Sequence, residues 1–389
     1  MGSLDMESEC ANWRNVILPR LENVDQNRQQ VLSTDGGEVV SIQDRSLLVS
    51  LPPDRSVLST SWLNGGYRED MEYVINHQVY EGVHGLMGQQ DMPEYLSMVA
   101  GSLGLKPERV TGLATAASMR NAAITRKDHS GVEVVAIVTA GVETNGGRAG
   151  DPAAYHAEID RSRYTAGTIN TILLISAFLP AFVMARAIMT ATEAKTCALQ
   201  QLMAPSKYSN GLATGSGTDM IAVVSDRSSE RVLLDAGKHN KLGEMIGASV
   251  IDATTRALEL QNGLTPSSQM DAMVRLQRYH VTANDVWSAA KSMGFHGTKS
   301  RFLESLERTS RRPEVVAQVA ALLHTQDEVS WGLIPERAGS DSAKCNLDAF
   351  FPNGGGISGG TTWGFESDQG ILANLVRFMA AIAKTDSRR

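Results

Sequence analysis

The stretch Ile172–Ala185 is the most apolar in the chain, and Pro180 divides it. It is shorter than the roughly 20 residues a membrane span requires. It therefore reads as a buried strand ending near Leu179, followed by a helix with Pro180 in its first turn. That strand-then-helix unit recurs along the first two thirds of the chain. Short alternating runs at Glu38–Ile42 and Ser46–Leu51 are bounded by Asp35-Gly36-Gly37 and Pro52-Pro53-Asp54, the residues of turns. Helical apolar spacing covers 93–103, 180–203 and 241–260. Strands interleaved with long helices predict a layered α/β or α+β sheet structure.

An internal echo sharpens this expectation. Gly112-Leu113-Ala114-Thr115 is followed by a strand-like run, a polar turn at 127–131 and the run Val132–Thr139 before Ala140-Gly141. Gly211-Leu212-Ala213-Thr214 opens the same sequence of parts, ending with Arg231–Asp235 and Ala236-Gly237. Two such copies predict a duplicated β-hairpin/helix unit. From Asn262 onward the pattern becomes helical, over 267–278, 283–293, 299–308, 313–323 and 371–384, interrupted by a glycine-rich loop. The expected organisation is a polar helical lead-in at 1–30, a sheet domain at 31–262 and a helical extension at 263–389. Whether 354–360 forms a lid is open at this level.

Composition narrows the function classes. With 42% apolar and 20% charged residues the chain is of ordinary globular type. A net charge of −7 argues against a nucleic-acid surface. Cys10, Cys197 and Cys345 are too scattered for a disulfide framework, and residues 1–20 lack an apolar signal core, so a cytoplasmic location is expected. A homo-oligomer is compatible with all of this.

Two segments carry residues suited to chemistry. Thr214-Gly215-Ser216-Gly217-Thr218-Asp219 offers backbone N–H groups that glycine lets a ligand approach, hydroxyls, and a carboxylate able to act as a base. It matches neither a Walker loop nor a nucleophile elbow. It reads equally as a tight turn capped by Asp219. Lys238, His239, Lys241 and Glu244 lie where a strand is expected to give way to a helix, with an imidazole that titrates near neutrality. Asn64-Gly65-Gly66, placed before an expected helix carrying Asn76-His77, is either an ordinary turn or a second backbone wall. Glu193 and Lys195 lie in an Ala/Thr/Met-rich helix. No histidine has metal-ligand spacing, so no metal is expected on the protein.

The chain resembles the adenosylcobinamide amidohydrolase family of corrinoid salvage over about residues 40–262. The segments that carry the resemblance are 58–79, 112–119, Val138–Gly150 (VTAGVETNGGRAG), 167–179, 191–200, 213–224 and 236–247. The resemblance implies hydrolysis of the amide that joins a corrin propionyl side chain to aminopropanol, giving adenosylcobyric acid. It implies no protein cofactor, because cobalt enters with the corrinoid substrate. Such a reaction needs a water activator, an oxyanion binder and an acid for the leaving amine. Asp219 or Glu244 is expected in the first role, the Gly215–Thr218 N–H groups with Lys238 in the second, and His239 in the third. Asn64, Gly65, Gly66, His77, Thr139, Glu193, Lys195, Thr214 and Lys241 are expected around the substrate; the roles of Glu143 and Asn145 stay open. A non-catalytic corrinoid carrier and a phosphate- or nucleotide-binding protein are the rival readings.

Overall fold

A computed structural model of the chain describes residues 13–83, 86–153, 167–351, 356–357 and 361–386. The chain forms two compact units, Met1–Thr265 and Pro266–Arg389. In chain order the first contains α1 (Trp13–Leu21), β1 (Arg28–Ser33), β2 (Val39–Gln43), β3 (Ser46–Ser50), β4 (Arg55–Ser59), β5 (Gly66–Arg68), β6 (Tyr73–Gln78), α2 (Met92–Ser102), β7 (Val110–Thr115), β8 (Ala123–His129) and β9 (Val132–Ala140). It continues with β10 (Gly146–Gly147), β11 (Ile169–Ile175), α3 (Ala181–Gln201), β12 (Gly215–Ser216), β13 (Met220–Asp226) and α4 (Lys241–Asn262).

Two mixed sheets, ordered β1-β2-β3-β6-β7 and β5-β4-β13-β11-β9-β8, build the unit. Strand alternation decides what each face meets. In β9, Val135 and Ile137 join the core shared with the first sheet, while Val134, Ala136 and Val138 join the core under α3 and α4. In β13, Met220, Ala222 and Val224 face the first sheet and Ile221 and Val223 face the helices. The second sheet is thus covered on both sides, which is why its strands read as unbroken apolar runs. The order of layers is α1 with α2, first sheet, second sheet, then α3 with α4.

Local signals set the helix ends. Asn240 caps α4 by accepting from the Gly243 N–H, and Gly263 ends it in the left-handed region at φ 61°. Pro180 stands just before α3, and Pro93 lies in the first turn of α2.

Several expectations are corrected. Asn76 and His77 lie on strand β6, not a helix, because the Tyr73-Val74-Ile75 run fits between β3 and β7. The hairpin forms once, as β8–β9. In the second copy β13 already has β4 and β11 as neighbours, so no sheet edge is free for Arg231–Asp235; there only Val232 makes a bridge, to Phe178. The first Gly-Leu-Ala-Thr lies inside β7, the second in irregular chain. Within the span expected as a polar helical lead-in, Trp13, Ile17 and Leu21 of α1 are buried in the first core.

The second unit is mostly helical: α5 (Ala272–Leu276), α6 (Ala283–Ser292), α7 (Lys299–Ser310), α8 (Pro313–Ser330), α9 (Glu336–Ala349) and α10 (Ile371–Asp386), with β14 (Gly356–Ile357) paired to β15 (Thr361–Thr362). Helix α5 is shorter than the 267–278 span expected, and α9 has no counterpart in the sequence reading. Most of the 354–360 loop lies outside the described residues. Among the described residues no helix is long and apolar enough to cross a membrane.

His77 gives the first unit a pH dependence. Its ring sits between the Ser46 hydroxyl at 2.8 Å from Nδ1 and the Tyr95 hydroxyl at 2.9 Å from Nε2. Complete burial, with a smaller effect of the Arg45 charge, pushes the imidazole down to about 3. The unfolded chain, with an ordinary histidine near 6.5, binds more protons between those values. His77 therefore costs no stability above pH 6.5 and progressively more as the pH falls toward 3. Between pH 6.5 and 4.5 this amounts to about 2–3 kcal/mol. Denaturant titrations at pH 7.0 and 4.5 are expected to show that difference in wild type and a distinctly smaller one in His77→Gln.

Candidate functional site

One end of the sheet sandwich holds a connected set of buried polar groups. It comprises the C-terminal ends of β6, β7 and β9 and the N-terminal ends of β11 and β13. Asn76 Nδ2 donates to Thr139 Oγ1 at 2.8 Å, and Asn170 Nδ2 donates to Asn76 Oδ1 at 2.8 Å and to the Ala114 carbonyl at 2.9 Å. Asn76, Thr139 and Asn170 are all buried. Each amide is bonded, so the network joins the two sheets without an orphaned group among the bonds described.

Above this network lies the loop that leads into β13. Gly215-Ser216 pairs antiparallel with Gly146-Gly147 as β12 and β10. The Thr214 N–H donates to the Gly147 carbonyl at 2.8 Å, its Oγ1 accepts from the Ala149 N–H at 2.9 Å, and its carbonyl accepts from Thr196 Oγ1 at 3.0 Å. Thr218 Oγ1 lies 2.6 Å from Thr168 Oγ1 and donates to the Gly167 carbonyl at 3.1 Å. The loop is thus fixed from three sides.

Asp219 is the centre of the arrangement. Its Oδ2 accepts from Lys195 Nζ at 2.5 Å and from the Ser216 N–H at 2.9 Å. Its Oδ1 accepts from Ser216 Oγ at 2.6 Å and from the Ile169 N–H at 2.7 Å. Both charged side chains are nearly out of solvent, at 8% exposure for Lys195 and 9% for Asp219. A buried ion pair of this kind holds only because four donors meet the carboxylate. Ser216 is half-buried and Gly217 is exposed, so the pair lies just beneath the surface.

Glycine is required at the strand clamp. A Cβ on Gly215 would stand 2.8 Å from Lys195 Nζ and would collide with the Asp219 carboxylate. Its cross-strand partner Gly147 would place a Cβ 3.3 Å from the Tyr208 ring. Directly paired residues present side chains on the same face. The Tyr208 ring therefore flanks the Lys195–Asp219 pair on that face. Tyr208 is 49% exposed, and its hydroxyl donates to Asn145 Oδ1 at 2.8 Å, while Asn145 Nδ2 donates to the Gly167 carbonyl at 3.1 Å.

Of the residues expected around the site, this end brings together Thr139, Lys195, Thr214, Gly215, Ser216, Gly217, Thr218 and Asp219. It does not gather the rest. His77 points from β6 toward α2, the side opposite its neighbour Asn76. Asn64 donates to the Pro107 and Val110 carbonyls at the start of β7, with Gly65 and Gly66 leading into edge strand β5. Four strand residues, about 13 Å, separate Val110 from Ala114.

The second basic segment is also elsewhere. Glu193 and Lys195 lie about 200° apart around α3; Lys195 turns inward, whereas exposed Glu193 pairs with exposed Lys238 at 2.5 Å. His239 is exposed. Lys241 pairs with Glu244 at 2.7 Å in the first turn of α4. That turn lines a cavity with His129 and Val132, at the N-terminal end of β9. Seven strand residues, about 23 Å, separate Val132 from Thr139. The expected convergence of the two segments is corrected by this topology.

Asn76, Asn145, Thr168, Asn170 and Tyr208 were not assigned from sequence. A usable signal existed for Asn170: an amide inside the run Ile169–Ile175, buried on both faces, has to find partners within the core. Among the described residues no group of three or more His, Cys, Asp or Glu could hold a metal ion.

The chain matches the family model described as adenosylcobinamide amidohydrolase over residues 31–266. It is similar to an uncharacterized protein of Methanocaldococcus jannaschii, 35% identical over 237 residues, which covers 57% of this chain and 88% of that protein. It is also similar to an adenosylcobinamide amidohydrolase of Methanosarcina mazei, 29% identical over 228 residues, covering 57% of this chain and 97% of that one. A crystal structure of a Pyrococcus horikoshii protein matches 61% of this chain and 85% of its own at 14% identity, with a TM-score of 0.28, too low to bear on the fold. The matched region ends one residue past the first compact unit.

Proposed function

The chain belongs to the adenosylcobinamide amidohydrolase family, and on that premise we propose that it hydrolyses the amide between a corrin propionyl group and aminopropanol at the Lys195–Asp219–Ser216 end of its first unit. The observation that carries this reading is the Asp219 carboxylate, buried with one ammonium and aimed at a half-buried serine hydroxyl 2.6 Å away. The products are adenosylcobyric acid and aminopropanol. Cobalt takes part only as a component of the substrate.

The chemistry assigned to this end runs in two halves. Ser216 Oγ attacks the carbonyl carbon while its proton passes to Asp219 Oδ1. Backbone N–H groups of the 217–218 turn receive the oxyanion. The C–N bond then breaks, and the proton held by Asp219 goes to the departing amine. Water next attacks the acyl-serine, giving a proton to Asp219; the bond between Ser216 Oγ and the acyl carbon then breaks to release the carboxylic acid, and the proton held by Asp219 returns to Ser216 Oγ. Lys195 remains an ammonium throughout and keeps Asp219 oriented. The Tyr208 ring, tied through its hydroxyl to Asn145 and half-open to solvent, provides an apolar wall for a broad, partly apolar guest.

The test incubates purified protein with adenosylcobinamide and follows aminopropanol and cobyric acid by mass spectrometry. One molecule of each per substrate is expected. Ser216→Ala is expected to lower kcat at least about a hundredfold while leaving corrinoid binding intact. Binding without release of aminopropanol would identify a carrier instead. Full activity in Ser216→Ala would remove the covalent step and leave Asp219 to act on water directly.

A further inference from the structure

The segment 236–241, which the reacting end does not use, helps to wall a separate cavity of about 440 Å3. We propose that this cavity is a second binding site, for a small amphiphilic monoanion: a compact apolar body carrying one carboxylate-type group. Its volume lies in the range of small-molecule pockets. Val132, Leu233, Leu242 and Met245 supply an apolar lining, and Leu234 stands at the cavity 66% exposed. Apolar side chains left open to solvent in a concave surface favour an apolar guest.

Charge at the cavity selects the rest of the ligand. Asp235 is neutralised by Arg186 at 2.7 Å, and Lys241 by Glu244 at 2.7 Å. Arg231 makes no ion pair among the described residues. Its guanidinium lies 3.5 Å from where a Cβ on Gly131 would stand, across the β8–β9 turn, and His129 lies at the same turn. The cavity therefore combines an apolar lining with one uncompensated cation whose planar donors match a carboxylate. A neutral hydrocarbon leaves that cation unused, and a cationic amphiphile meets repulsion. The site lies at the far end of β9 from Asp219, so its occupation does not depend on the reaction assigned to the other end.

The experiment titrates full-length protein at low ionic strength with octanoate, 1-octanol and octylammonium, read by calorimetry. Arg231→Glu and Leu234→Glu are the variants; both side chains are exposed, so the core is untouched, and thermal melts check the fold. Octanoate is expected to bind at least about tenfold more tightly than either of the other two. Arg231→Glu is expected to weaken octanoate about tenfold or more and to bring it level with octanol. Leu234→Glu is expected to weaken octanoate and 1-octanol. No saturable binding of octanoate, equal binding of the three probes, or octanoate binding unmoved by Arg231→Glu would each overturn the proposal.

Discussion

Asp219→Asn is expected to lower kcat for adenosylcobinamide hydrolysis at least about a thousandfold, with little change in KM. The substitution keeps the shape of the side chain and removes the proton acceptor that Ser216 Oγ meets at 2.6 Å. A group used only as the proton moves is lost from kcat rather than from binding. The fold is affected as well. The carboxamide keeps one acceptor oxygen and turns its NH2 either toward the Ile169 N–H and Ser216 hydroxyl or toward the Ser216 N–H and Lys195, whichever oxygen it replaces. It also leaves the Lys195 ammonium, 8% exposed, without its counter-charge. Breaking a buried pair from one side costs about 3–5 kcal/mol. Replacing both partners, as Lys195→Met with Asp219→Leu, is expected to recover part of that stability and none of the activity. Melting curves beside rates separate the two effects, because a purely structural pair would regain activity along with stability.

The second large effect lies at the opposite end of β13. Arg55, on β4, donates to Glu38 Oε1 at 2.5 Å, to Asp226 Oδ1 at 2.6 Å and to the Gly36 carbonyl at 2.5 Å. Its side chain is 3% exposed. It ties the β1–β2 turn of the first sheet to two strands of the second. Arg55→Ala leaves two nearly buried carboxylates facing each other's field with no cation between them, at a cost of about 3–5 kcal/mol. For a unit of this size that lowers the melting temperature by about 10 °C. Arg55→Lys keeps the charge but cannot reach three acceptors at once, so an intermediate loss is expected. Below the new melting temperature the rate per folded molecule should be unchanged, because Asp226 stands seven residues, about 23 Å, from Asp219 along the strand direction.

The layered sheet architecture was legible in the sequence because strand and helix signals were local. Pro180 divided the Ile172–Ala185 run where α3 begins, and Asn240 and Gly263 bound α4. Errors arose where neighbours in space decide. Tyr73–Gln78 has a period that suits either element at such length, and its place between β3 and β7 selects a strand. Arg231–Asp235 has strand composition but no edge to join. The 214–219 loop was legible as a place for chemistry because its glycines and hydroxyls are contiguous. Of its partners, Lys195 was expected near the substrate but not as the counter-charge of Asp219, while the contribution of Asn145 stayed open and Tyr208 was missed, because these residues come from distant positions. The 238–244 segment looked equivalent in sequence, but Lys238 meets the outward face of α3 through Glu193, and the first turn of α4 sits by Val132, about 23 Å along β9 from Thr139.

The most direct measurement is the rate of aminopropanol release from adenosylcobinamide by wild type, Asp219→Asn and His239→Ala, assayed side by side. Wild type and His239→Ala are expected to release it at the same rate, and Asp219→Asn at background. Silence from wild type, or loss of release in His239→Ala with Asp219→Asn intact, would contradict the placement of amide hydrolysis at the buried aspartate.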